Sequence, residues 1–324
     1  MINLQLIIAL IPCIAFQAPR VIRSRSRVYG IAEWRDNCFV ESEFQTELRK
    51  PVCLVPFDYE EALVQGQTKE LRFYEDRFIH LFDDVMDNHE GVLAMALLSE
   101  EDEAILSSVP LCEIAAYNRM AEEFGIFLTI KCVGRVELLD IDQDGEYMVA
   151  ECIEIVDSGT PDLTQANIVA DSIEKMVKRM SSIEDELSDR LEEQVKFGTL
   201  PDGIEFVNDS DNFSGGDDDD DDGPTRIERY REAYEHALES DSQGYMLSSS
   251  ALSQRSGQEL TAISWAAFAT EAVDDLDAQF RVQALDTDDL VERLKLGLFL
   301  LNEKRRLIEN MLQQVRGDMD ESAD

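Results

Sequence analysis

A chain of 324 residues that is 44% hydrophobic can hold one large domain or two modest ones, and wholesale disorder is excluded. With 69 Asp+Glu against 29 Lys+Arg, its formal net charge is −40. That field repels nucleic acid and anionic lipid and favours basic partners, so neither an RNA nor a membrane surface is the first expectation.

The first residues do not share this balance. MINLQLIIALIPCIAF has an apolar run from Leu6 to Phe16 that is short for a bilayer span, and QAPRVIRSRSRVYG follows with Arg20, Arg23, Arg25, Arg27 and no acid. A short apolar stretch ahead of an acid-free, Arg/Ser-rich one is the pattern of a signal followed by a transit peptide, here over residues 1–30. The pair is similar to the bipartite presequences of algae with complex plastids, in which an aromatic residue follows the first cleavage point, and Phe16 stands there. The resemblance implies the plastid (chloroplast stroma), with no membrane association after processing; an ordinary secretory signal is the alternative.

Of six cysteines, Cys13 falls in the leader, which leaves Cys38, Cys53, Cys112, Cys132 and Cys152. Their wide spacing, without a CxxC, suits buried thiols better than a disulfide framework or a zinc site. His80, His89 and His236 are scattered and form no ligand cluster along the sequence.

From Cys53 to Asp157, strands alternate with helices. CLVPF is a short apolar run, and ELRFYEDRF leads into a helix with Phe78, Leu81, Phe82, Val85 and Met86 on one face. GVLAMALLS, after a stop at Gly91, reads as a buried strand. The stretch from Glu100 to Gly125 reads as a loop, a short strand and a turn. FLTIKCVGRVELL and YMVAECIEIVD both alternate with period two.

Between the last two, DIDQDGEYMVAE places Asp140, Asp142, Asp144, Gly145 and Glu151 at the ligand positions of an EF-hand loop. An EF-hand needs a helix on each side, and these flanks are strands. Asp144-Gly145 therefore reads as a hairpin turn in which glycine supplies a positive φ. Weak calcium binding through Asp140–Glu151 is the alternative.

After Asp157, Thr160-Pro161 opens a long helix on which Val169, Ile173, Met176, Met180, Ile183 and Leu187 form a heptad-like seam, expected to pack on its own domain. Residues 198–224, with six consecutive aspartates at Asp217–Asp222, form an acidic linker. Thr225–Glu239 reads as helical, Gln243–Ser256 as a loop, and the chain from Gln258 to Gly317 as mostly helical. Its last helix is capped by Thr287 or Asp286, and residues 318–324 form an acidic tail.

No phosphate-binding G-x-x-x-x-G-K-[ST], no G-x-S-x-G, no H-E-x-x-H and no G-x-G-x-x-G occurs. The expectation is a protein that is not an enzyme and carries no cofactor.

The segment from Leu54 to Ile155 resembles the LON domain, the N-terminal substrate-recognition domain of the Lon protease family, also found alone in non-proteolytic proteins. VPF at Val55–Phe57 resembles the family's first strand end, LVQG at Leu63–Gly66 its turn, and FYEDRF at Phe73–Phe78 its Phe-Glu-x-Arg-Tyr. Gln65 stands where that turn has proline. The resemblance implies an α+β fold: a β-rich PUA-like module over residues 31–157, the long helix over 158–197, the linker, and a mostly helical part over 225–317.

It also implies recognition of polypeptide without proteolysis, with polypeptide clients or a plastid protease or chaperone as partners. The work would be that of an adaptor in protein quality control or of an assembly factor, and the oligomeric state is left open. Candidate contacts are Phe57, Tyr59, Phe73 and Tyr74, with core packing the default for each alone. Gly66, Glu75 and Arg77 are motif residues expected to act structurally, the last two as an ion pair at the strand-to-helix corner. RNA binding, as in other PUA-like folds, is the reading from a different class.

Overall fold

The computed structural model describes residues 30–37, 49–99, 104–120, 125–157, 161–197, 225–240, 255–269 and 275–322. Residues 1–29 of the expected targeting segment, Cys13 among them, and Cys38, Thr160 and the acidic linker lie outside these.

In chain order the elements are α1 (Ile31–Asn37), β1 (Lys50–Asp58), a 3-10 turn (Tyr59–Glu61), β2 (Thr68–Phe73), α2 (Asp76–Asn88), β3 (Val92–Leu98), β4 (Ser108–Arg119), β5 (Ile126–Asp142) and β6 (Met148–Glu154). Then follow α3 (Leu163–Phe197), α4 (Arg226–Ser240), α5 (Gly257–Ala266), α6 (Asp275–Asp286) and α7 (Leu290–Ser322). The class is α+β, with all strands ahead of the long helices.

β1 runs parallel to β3 and antiparallel to β6, β3 pairs with β4, β4 with β5, and the second half of β5 with β6. The circuit β1–β3–β4–β5–β6 is thus closed, which leaves no edge within it. β1 and β3 are apolar almost throughout because a parallel pair inside such a barrel is covered on both sides. The first half of β5 instead carries β2, from Thr68↔Lys131 to Phe73↔Ile126, and β2 ends the sheet order.

β4 departs from the sequence reading: it is a strand of 12 residues, not a short one flanked by loop. Its second half lacks alternation because Ala115, Ala116 and Tyr117 are all exposed, and pairing with β5 through Arg119↔Ile126 defines it instead. The β5–β6 hairpin forms where Asp144-Gly145 lies, but Gly145 has no positive φ. The Asp142 side chain closes the loop instead, accepting the Asp144 N–H at 3.0 Å. Glu151 stands in β6 opposite Asp140 and pairs with Arg49 at 3.3 Å.

The helical caps also differ. Asp162 accepts the Thr164 and Gln165 N–H groups at the start of α3. Asp289, not Thr287 or Asp286, accepts those of Val291 and Glu292 at the start of α7. A carboxylate two or three residues ahead of free N–H groups satisfies them and favours the positive end of the helix dipole. α7 continues past Gly317 to Ser322.

α3 buries Ala166, Ala170, Ile173, Val177 and Met180 against α4, α5 and α7. Ile173 and Met180 of the seam are thus internal, with Val169 and Met176 partly buried beside them, and Ala166 and Ala170 let the helices approach. Arg179 pairs with Glu309, and Glu186 with Arg316, so α3 and α7 run side by side in the same direction.

A buried polar knot ties barrel to bundle. Asp157, just after β6, accepts from Arg135 of β5 at 2.8 Å and from Arg293 of α7 at 2.6 and 2.5 Å. Trp265 of α5 lies against both guanidinium groups, with ring centroids at 5.3 and 4.2 Å. Burial, and then the neighbouring Arg293, push the Arg135 guanidinium down to about 10. Two cations thus share one carboxylate inside the core.

Candidate polypeptide-binding surface

Among the described residues β2 has no strand on its outer side, and that edge and the tip of its lobe carry exposed rings. Gly125, at φ 74°, packs against the Phe73 carbonyl so closely that a Cβ would come within 2.1 Å. This contact lays the start of β5 on the end of β2 and leaves Tyr74 67% exposed. Phe127 faces Arg72 across the β2–β5 ladder, is 41% exposed, and has that guanidinium over its ring at 5.2 Å.

On the opposite face, Tyr117 is exposed and lies edge-on to Phe82 of α2 at 5.1 Å. Arg119 beside it donates to Asp83 at 2.8 Å, and that bond raises its pKa. Rings held by guanidinium groups lose little freedom on binding, which suits them as anchors. Along the edge, Lys69, Glu70 and Arg72 are charges of both signs, which discourage indiscriminate strand pairing.

The sequence candidates separate sharply. Phe57 and Phe73 are 8% and 5% exposed and belong to the barrel core, Phe73 stacked on Phe78 at 5.4 Å. As contacts for a partner both are corrected: Phe57 lies in β1, which is covered on both sides, and alternation along β2 turns Phe73 inward. Tyr59 lies in the 3-10 turn and helps line a groove of about 460 Å³ between the barrel and α6, with Leu106, Ser108, Gln279, Gln283 and Asp286. Ser108 donates to Asp286 across it at 2.9 Å. Only Tyr74 lies on the lobe tip. Tyr117 and Phe127 are not among the sequence candidates, although Phe127 opens the period-two run as an exposed aromatic.

Glu75 and Arg77 do pair, at 2.7 Å, on the surface at the corner between β2 and α2, and the Glu75 carbonyl accepts the Phe78 and Ile79 N–H groups of that helix. Gly66 has a different task. At φ 94° its Cα faces α4, and a Cβ would lie 2.5 Å from the Ala233 carbonyl oxygen and 2.9 Å from the Ala237 nitrogen. Its own carbonyl meets His236 Nδ1 at 3.2 Å. Glycine at this position lets the β module sit directly on α4.

The four described cysteines are buried and free. One of them lies in a cluster invisible along the chain: Cys53 of β1, Asp84 of α2 and His89, the residue that ends α2, bring their ligand atoms within 4.8 Å of one another. Burial, and then Asp84, push the Cys53 thiol far above its ordinary range. Burial alone would raise Asp84 as well, but hydrogen bonds from Asn88, Tyr147 and Cys53 and the nearby His89 hold it below the usual carboxylate range. The histidines were expected to cluster with nothing; folding across 36 and 5 residues of separation joins His89 to the other two.

No protein-family model matches the chain, and no curated protein matches it. Among solved structures it is similar to the N-terminal domain of the Mycobacterium avium complex Lon protease, at 15% identity, over 78% of this chain and 98% of that one, with a TM-score of 0.42. It is also similar to a Lon N-terminal domain protein from Xanthomonas campestris, at 19% identity, over 39% of this chain and 73% of that one, with a TM-score of 0.32. Both are Lon N-terminal domains, the family that the sequence motifs resemble.

Proposed function

We propose that this chain is a non-catalytic polypeptide-recognition protein of LON type, which takes an extended segment of a partner along the open edge of β2. The observation that carries the proposal is that edge itself, flanked by the exposed rings of Tyr74 and Phe127. A strand added there completes the backbone hydrogen bonds of β2. Its alternate side chains face Leu71 on the inner side and the Arg72–Phe127 pair on the outer side. The edge charges select segments whose own charges alternate to match, and the net charge of −40 favours clients that are basic overall.

In this reading the protein serves the plastid stroma as an adaptor in protein quality control or as an assembly factor. The composition of residues 1–30 supports that location, and a fluorescent reporter fused to them in an alga with complex plastids tests it independently.

The binding test measures the affinity of the full chain for a panel of unfolded, labelled polypeptides by fluorescence anisotropy. Tyr74→Ser and Phe127→Ser should each weaken the best ligand by about 30-fold, the effect of losing a hot-spot contact of about 2 kcal/mol. Their melting temperatures should stay at the wild-type value. Unchanged affinity in the double variant sinks the proposal.

A further inference from the structure

The geometry points to a divalent-cation site, best matched to zinc, formed by Cys53 Sγ, Asp84 Oδ2 and a ring nitrogen of His89. The inference is independent of the polypeptide-binding reading, because the cluster lies between β1 and α2 and not on the lobe tip.

Three observations carry it. First, the donor set is one thiol, one imidazole and one carboxylate, a mixture that suits a borderline-soft ion and not calcium or magnesium, which take oxygen ligands. Second, the spacing is right. Sγ lies 3.4 Å from Asp84 Oδ2, and His89 Nε2 lies 3.5 Å from the same oxygen. Tetrahedral zinc with bonds of roughly 2.0–2.3 Å sets its ligands about 3.3–3.6 Å apart. The two separations already match, and only the thiol–imidazole distance, which is within 4.8 Å, has to close.

Third, among the described residues His89 makes no side-chain hydrogen bond outside the cluster, and its Nε2 meets Asp84. Its side chain is 9% exposed, and its Nδ1 is buried with no hydrogen-bond partner among the described residues.

The surroundings fit a ligand set held in place. Asn88 Nδ2 donates to Asp84 Oδ1 at 2.6 Å, which leaves Oδ2 aimed at the other two groups. The Tyr147 hydroxyl also hydrogen-bonds Asp84, from the β5–β6 loop, and His80 pins that loop to α2 through Glu146 at 2.6 Å. Such outer contacts fix the orientation of first ligands. The Asp84 side chain is 24% exposed and gives the ion its way in. A water molecule or the Tyr147 hydroxyl supplies the fourth position. On binding, the thiol proton of Cys53 passes to bulk water and the sulfur bonds the metal as thiolate, so about one proton is released per ion.

The full chain, stripped with a chelator, is titrated with Co²⁺ and then with Zn²⁺ and followed by absorbance. A sulfur-to-cobalt charge-transfer band should appear together with the visible bands of a tetrahedral ion. These should saturate at one ion per chain and disappear as zinc displaces cobalt. Cys53→Ser should lose the charge-transfer band, Cys112→Ser should keep it, and Asn88→Ala should weaken zinc binding about 10–100-fold. Absence of the band, or its survival in Cys53→Ser, overturns the proposal. Should Cys53→Ser fail to fold, zinc-edge X-ray absorption on the wild-type chain decides: one sulfur among the ligands supports the site, and none overturns it.

Discussion

Replacing Asp157 with asparagine removes one charge and almost no volume, and it tests whether the knot between barrel and bundle depends on charge. In the native protein the Arg135 and Arg293 side chains are 3% and 0% exposed, and Asp157 is 12% exposed. Each guanidinium–carboxylate contact is worth roughly 4 kcal/mol of attraction at an effective dielectric near 20. Desolvation offsets most of this, so the pair adds little compared with a nonpolar replacement. Removing the carboxylate alone is different, because both cations stay buried and repel each other across Trp265. A loss of about 3–5 kcal/mol is expected.

Urea unfolding followed by tryptophan emission reads it directly, since Trp265 stacks on both guanidinium groups. At a denaturant slope of about 3 kcal/mol/M the midpoint should fall by about 1–1.7 M. Adding Arg293→Met to Asp157→Asn should recover part of the loss, because one of the stranded charges goes with it. A loss below about 1 kcal/mol for Asp157→Asn, with no recovery in the double variant, would mean that water screens the knot and that the reasoning from burial is wrong.

Gly66→Ala should destabilise the protein by at least about 1–3 kcal/mol, from the left-handed backbone and the Cβ driven into α4; a melting temperature equal to wild type refutes the close docking. Phe73→Ala should cost about 3–5 kcal/mol by calorimetry or urea melt, whereas Tyr74→Ala, one residue on, should stay within about 0.5 kcal/mol. The Tyr230 hydroxyl is buried without a hydrogen-bond partner among the described residues, and burial, followed by Glu174 and Tyr234, raises its pKa above the ordinary tyrosine value. The folded state thus holds that proton after the unfolded chain has released it, so stability falls as pH rises beyond about 10. Tyr230→Phe should flatten this alkaline decline in pH-dependent melts and leave stability at neutral pH unchanged or higher by about 1 kcal/mol.

Local periodicity made much of this protein legible in its sequence. The β5–β6 hairpin follows from two alternating runs around Asp144-Gly145. The long helix α3 follows from apolar residues recurring every three and four positions, and α2 from the face containing Leu81, Phe82 and Val85. These patterns report which side of an element is apolar, and that property belongs to the chain itself.

What lies across from that side is decided only when the chain closes on itself. Alternation along β1 and β2 could not say that Phe57 and Phe73 face the barrel while Tyr74 faces solvent, because the sense of alternation depends on which neighbour the sheet acquires. The far half of β4 has no pattern of its own and takes its form from β5. Cys53, Asp84 and His89 meet because the crossover from β1 to β3 lays α2 on the barrel. Arg135, Asp157 and Arg293 meet because α7 returns to the end of β6. Composition and period determined the elements and the acidic surface of this protein; contacts between residues far apart in the chain, set by barrel closure and helix docking, determined its sites.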